Sequence, residues 1–113
     1  MKLLVFLSLF FIINNDTTFS INDFINSLQR EGLYDIILNL KIFISDDVAI
    51  AFCIEVTNSR HCEEVVRIYM TNPSPKKCPS NSYNEMKRIV RTLIPDRVIH
   101  KIIDQHCGKI NNY

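Results

Sequence analysis

Apolar residues recur along most of this chain at the i, i+3, i+4, i+7 spacing of amphipathic helices. Phe24, Ile25 and Leu28 share one face of a first predicted helix, which Asn22 is placed to cap and Gly32 to interrupt. Leu33, Ile36, Ile37, Leu40, Phe43 and Ile44 form the core-facing stripe of a second. Ser45, followed by Asp46 and Asp47, reads as the N-cap and acidic first turn of a third helix running from Asp46 to about Thr57. Val48 to Val56 is rich in β-branched residues, yet its alanines, its cap and its helical neighbours favour helix over strand.

Asn58 and Ser59 make a tight connection, and Ser59 can cap a fourth helix holding Cys62, Val65, Val66 and Tyr69 that fades at Thr71. Asn72 to Pro79, with three prolines and two lysines, is a loop that Cys78 would anchor. Ser82-Tyr83-Asn84-Glu85 has the form of a capping box. Met86, Ile89, Val90 and Leu93 then repeat at helical spacing until Pro95 stops or kinks the helix. A last helix from Asp96 would bury Val98, Ile99, Ile102 and Ile103, with Gly108 as its C-cap. The predicted fold class is all-α: a small bundle of five or six short amphipathic helices, stapled by two disulfides.

The N-terminus breaks the amphipathic pattern. Lys2 precedes an almost unbroken apolar run, Leu3 to Ile13, and polar Asn14 to Thr18 follow. The run is shorter than the about 20 residues that span a bilayer and matches the apolar region of a signal peptide. Cleavage after Ser20 would set Thr18 and Ser20 at the small-residue positions, making residues 1–20 a signal peptide and 21–113 a single domain. The sequon Asn15-Asp16-Thr17 lies in the removed part, and Pro73 blocks the one at Asn72. The polar C-terminus carries no signal for a lipid anchor or for retention. The expected localisation is secreted, either extracellular or in an endolysosomal lumen.

Cysteine usage agrees with export. Cys53, Cys62, Cys78 and Cys107 all lie after Ser20, and an even count in a short exported chain reads as disulfides. So small a domain buries little apolar surface, and each bridge can add roughly 3 kcal/mol by restricting the unfolded state.

The formal net charge of +1 hides an asymmetry. Ile21 to Glu64 carries three Lys/Arg against eight Asp/Glu, net −5, whereas Val65 to Tyr113 carries nine against three, net +6. The two halves can neutralise each other within one bundle, or the basic half can meet an anionic surface. So modest an excess in an exported protein does not point to nucleic acid.

Catalytic patterns are sparse. His61-Cys62 and His106-Cys107 suggest a Cys–His nucleophile or a zinc site, but neither has a ligand spacing. Neighbours on a helix point about 100° apart, so adjacency does not set the imidazole on the thiol. Asp46-Asp47 and Glu63-Glu64 sit at helix starts, where the dipole explains them. His100 is expected on the solvent side beside Lys101. Nothing here calls for a cofactor or a metal, and an enzyme is the class these residues support least.

One segment resembles a known family. Cys53 to Tyr69, with two cysteines joined across a short turn and the second opening the run Cys62-x-x-Val65-Val66-x-x-Tyr69, resembles the middle of a saposin-like domain. Pro95-Asp96-Arg97-Val98, then Ile102 and Cys107, is similar to that family's closing helix. The family's paired N-terminal cysteines are absent, Ile99 stands where a cysteine is usual, and Thr71 to Ser82 reads as an insertion. A helix–turn–helix around Asn58-Ser59 would bring Cys53 within reach of Cys62, and elimination would then leave Cys78 with Cys107.

The resemblance implies a five-helix module that binds lipid and can open to exchange an internal apolar face for lipid chains. Phe43, Ile44, Phe52, Ile89, Leu93 and Ile102 are then the candidate lipid-facing residues, although each also suits a core. Lys87, Arg88 and Arg91 follow one another around the polar side of the Ser82–Ile94 helix, the pattern of an interfacial amphipathic helix. The expected function is weak, salt-sensitive association with anionic lipid, strengthened by acid as His100 and His106 protonate. Two other readings fit the same chain: a helical effector or cytokine-like ligand of a protein receptor, and a carrier of a small hydrophobic ligand.

Overall fold

The computed structural model describes residues 20–108, so the expected signal peptide lies outside the described residues but for Ser20. Among the described residues six α-helices follow in order: α1 Ile21–Arg30, α2 Tyr34–Phe43, α3 Asp46–Thr57, the single turn α4 Cys62–Glu64, α5 Ser82–Val90 and α6 Asp96–Cys107. No strand occurs among the described residues. Helix α3 packs against α2 and α6, and α5 closes a four-helix ring by packing against α6 and α2. Helix α1 lies on α2, the α4 turn lies on α3, and the segment Val65–Tyr69 after it lies on α3 and α2. The core is filled by Phe24, Leu28, Ile37, Leu40, Phe52 and Ile103, among others, all fully buried.

Local chemistry fixes the helix ends. Ser20, not Asn22, caps α1: its Oγ accepts from the Asp23 N–H at 3.2 Å, and the Asp23 carboxylate accepts from the Ser20 N–H at 3.3 Å. The pair forms a capping box that leaves Asn22 exposed in the first turn. Gly32 takes φ +73° and donates to the Gln29 carbonyl, while Leu33 donates to the Leu28 carbonyl. This Schellman closure also sets Leu33 beside Leu28 in the core. Ser45 caps α3 as expected, with its Oγ 3.1 Å from the Val48 nitrogen, and the helix ends at Thr57 with Asn58 left-handed.

The chain departs from the expected helix after α4. Val65–Tyr69 winds in π-helical geometry, with the Met70 N–H bonded to the Val65 carbonyl at 2.8 Å. This five-residue step carries Met70 into the core and turns Tyr69 outward, 42 % exposed, against the expectation from α-helical spacing. The capping box expected at Ser82 does not form. The Ser82 hydroxyl is buried and donates to the Pro79 carbonyl, and Glu85 pairs with Arg88 instead. Helix α5 ends at Val90, five residues before Pro95, because Arg91 turns left-handed.

Two disulfides staple the bundle, and no described cysteine is free. Cys53–Cys62 ties α3 to α4 across the Asn58 turn, and Cys78–Cys107 pins the proline-rich loop to the end of α6. They place the fold in an oxidising, secreted-type environment. None of the described helices is long and apolar enough to cross a membrane.

Candidate functional site

Two grooves run along opposite seams of the four-helix ring. The first, of about 440 Å³, lies between α2 and α5. Ile36 and Asn39 line it from α2, Arg88, Ile89 and Val90 from α5, and Arg91, Thr92 and Leu93 from the following turn. Four of the expected lipid-facing or basic residues, Arg88, Ile89, Arg91 and Leu93, therefore meet in one place.

The turn at the end of this groove has unusual geometry. Arg91 has φ 57° and ψ −119°, and the Leu93 N–H bonds to the Val90 carbonyl at 3.1 Å. These are the marks of a type II′ turn with Arg91 at its first central position, which normally demands glycine. The Arg91 N–H also closes α5 by donating to the Lys87 carbonyl. Among the described residues no carboxylate pairs with Arg91, whose side chain is exposed.

Arg88 is held from two directions. Glu85 accepts from its Nε and Nη2, and its guanidinium carbon lies 6.0 Å from the centroid of the Phe43 ring, a cation–π distance. The hydrogen bond from Arg88 pulls the Glu85 carboxyl below its ordinary range, and Glu85 in turn raises the Arg88 guanidinium. Phe43 is 47 % exposed at the end of α2, outside the core stripe to which its spacing assigns it.

The remaining expected residues scatter. Ile44 and Phe52 are fully buried and line neither groove, so they serve the core. Ile102 is nearly buried and reaches the other groove. Lys87 forms an ion pair with Asp96 at 3.2 Å and does not line the first groove, which splits the expected run of three cations. Ile36, Asn39 and Thr92 were not expected in the site. Only the packing of α2 on α5 and the turn after Val90 bring them there.

The second groove, of about 330 Å³, lies between α3 and α6. Its floor is apolar, with Ile50, Ile54, Val98 and Ile102, and Ile54 is 47 % exposed. Its rim mixes signs: Asp47, Glu55 and Glu63 stand with Arg67, Lys101 and His106. Arg67 ties this rim together through Asp47 at 2.6 Å and Glu63 at 3.2 Å, and the hydrogen bond to Asp47 raises its pKa.

The Cys/His pairs contribute no reactive centre, because Cys62 and Cys107 are both oxidised. His61 lies against Phe24, and His106 is exposed on the rim of the second groove. His100 is half-buried and stacks on Tyr83 at 3.9 Å, rather than standing in solvent as expected. Among the described residues no cluster of His, Cys, Asp or Glu could hold a metal ion. No family model, no curated protein and no solved structure matches this chain.

Proposed function

We propose that this chain is an exported lipid-surface protein of saposin-like type, which associates reversibly with anionic membranes. The observation that carries the reading is the α2–α5 groove, where Arg88 and Arg91 stand beside Ile36, Ile89 and Leu93 with half-exposed Phe43 at hand. Cations for headgroups next to apolar side chains for the acyl boundary is the pattern of interfacial binding. Each basic group near an anionic surface contributes about 1 kcal/mol and is screened over about 8 Å at physiological salt. The test is co-sedimentation with neutral and anionic vesicles at low and high salt, alongside a Lys87/Arg88/Arg91→Gln triple variant. Binding to anionic vesicles that salt and the variant both weaken supports the reading. Equal sedimentation of wild type and variant overturns it.

A second reading, a ligand of a protein receptor, is favoured by the α3–α6 groove. Its exposed Ile54 within a rim of both signs suits a protein surface better than a uniformly anionic one. Ile54→Glu would abolish receptor binding under that reading and leave vesicle binding unchanged.

A further inference from the structure

The α2–α5 groove has more than a basic character. Its polar lining consists of two guanidinium groups, from Arg88 and Arg91, the Asn39 amide and the Thr92 hydroxyl. All four can donate hydrogen bonds, and no carboxylate lines the groove. The opposite groove, by contrast, carries three carboxylates on its rim. Glu85 occupies Nε and Nη2 of Arg88, so that guanidinium is already oriented and keeps Nη1 for another acceptor.

Cations near the C-terminal end of a helix are favoured by its dipole, and that accounts for Lys87 and Arg88. The same dipole favours a cation at Arg91, the C-cap, but it does not account for an arginine at a positive φ. An arginine at the glycine position of a type II′ turn is strained, and backbone strain of this kind concentrates where a side chain has work to do. Glycine would make the same turn without strain and would leave the groove with one guanidinium.

From these observations we infer that the α2–α5 groove is a phosphate-binding site, in which Arg91, held by its strained turn, and Arg88 grip a phosphate group that Asn39 and Thr92 complete. The fork of one guanidinium matches two oxygens of a phosphate or of a carboxylate alike, but only a phosphate has a further oxygen to offer the second guanidinium, the amide and the hydroxyl. Ile36, Ile89 and Leu93 beside it fit the apolar stub of a phospholipid. The inference rests on the lipid-surface reading for the source of the phosphate, but the shared chemistry is the phosphate group itself, on a membrane or in solution.

The experiment uses the oxidised protein and two kinds of probe. Vesicles of phosphatidylcholine are doped with phosphatidic acid or with oleate to equal surface charge, and glycerol 3-phosphate is titrated in solution. The variants are Arg91→Gly, Arg91→Lys and, as a basic residue outside the groove, Arg97→Gln. Expected results are tighter binding to phosphatidate than to oleate, about tenfold weaker phosphatidate binding by Arg91→Gly, and an intermediate value for Arg91→Lys. Arg91→Gly should also melt higher than wild type, which separates lost binding from lost folding. Equal losses in Arg91→Gly and Arg97→Gln, or equal binding to phosphatidate and oleate, would overturn the phosphate site and leave a nonspecific lipid-surface reading standing. Arg91-dependent binding of glycerol 3-phosphate without vesicle binding would keep the site and sink the membrane reading. No binding to any of these probes would remove both.

Discussion

The ammonium of Lys41, at the end of α2, donates to the Val66 carbonyl oxygen at 2.9 Å and to the Asp46 carboxylate at 2.8 Å, while its side chain is only about 5 % exposed. This bond crosses from α2 to the π-helical turn. It supplies a partner to a carbonyl that the wider turn releases from its regular ladder, and it holds the start of α3 through Asp46. The same link explains why Met70 rather than Tyr69 reaches the core.

Lys41→Ala should therefore destabilise the protein by about 2–3 kcal/mol, since it strands a buried carbonyl and removes a partner from Asp46. The cost falls short of a fully buried pair because Asp46 is a quarter exposed and also faces Arg67 at 3.5 Å. Urea denaturation reads the loss. Hydrogen exchange should show faster opening of the Val65–Tyr69 segment than of α3, and equal effects on both would contradict a local role.

Features legible in the sequence are those decided within a few residues. Ser45 caps α3, Gly32 ends the α1 turn and the two cysteines flanking Asn58 meet, because each depends on neighbours along the chain. Features that were not legible depend on a distant group. The π-helical turn needs Lys41 from another helix, and the Ser82 box loses to the Pro79 carbonyl and to Arg88. Arg91 illustrates the harder case. Val90-Arg91-Thr92-Leu93 contains neither glycine nor asparagine, so nothing in it signals a positive φ. One wall of the candidate groove was visible as Arg88, Ile89, Arg91 and Leu93, whereas the other wall, Ile36 and Asn39, exists only because α2 packs against α5.

The disulfides should reduce in a fixed order. Cys78 and Cys107 are half-buried near the surface, while Cys53 and Cys62 are fully buried in the core. A thiolate must reach a sulfur to exchange with it, so limited reductant followed by alkylation should label Cys78 and Cys107 first. In the chain-entropy model the loops of 29 and 9 residues correspond to about 3.6 and about 2.6 kcal/mol of stabilisation. Removing Cys53–Cys62 should nonetheless be the costlier change in urea, because two serines there would be buried.

The capping role of Ser20 bears on the cleavage expected after it. A form beginning at Ile21 lacks the hydroxyl that accepts from Asp23 and places an ammonium at the positive end of the α1 dipole. It should be about 1 kcal/mol less stable than a form beginning at Ser20. Paired urea titrations of the two forms check this, and equal midpoints would show that the box contributes nothing.

Relief of strain gives Arg91→Gly a stability effect that needs no ligand. Glycine adopts φ near 57° freely, so the substitution should raise stability by up to about 1 kcal/mol, offset in part by the larger entropy of the unfolded chain. Arg91→Ala keeps the strain and loses the charge, and it should melt no higher than wild type. If the alanine and glycine variants melt together, the left-handed turn is not a source of strain.

Acid should act on Arg88 of the basic groove through Glu85, which pairs with it from outside the lining. Arg88 holds the Glu85 carboxyl below its ordinary range, so ionised Glu85 favours the folded state. That contribution is fully present above the unfolded value near 4.5 and is lost as pH falls through the lower folded value. The Arg88→Gln variant has no such contribution to lose. Its melting temperature should lie slightly below that of wild type at neutral pH, and the two should converge in strong acid. The gap should be small because both groups are in contact with water, and it should shrink further in high salt. Differential melting curves at a series of pH values below 6 read the convergence. A gap that persists or widens in acid would mean that Arg88 stabilises the protein through its contact with the Phe43 ring rather than through Glu85.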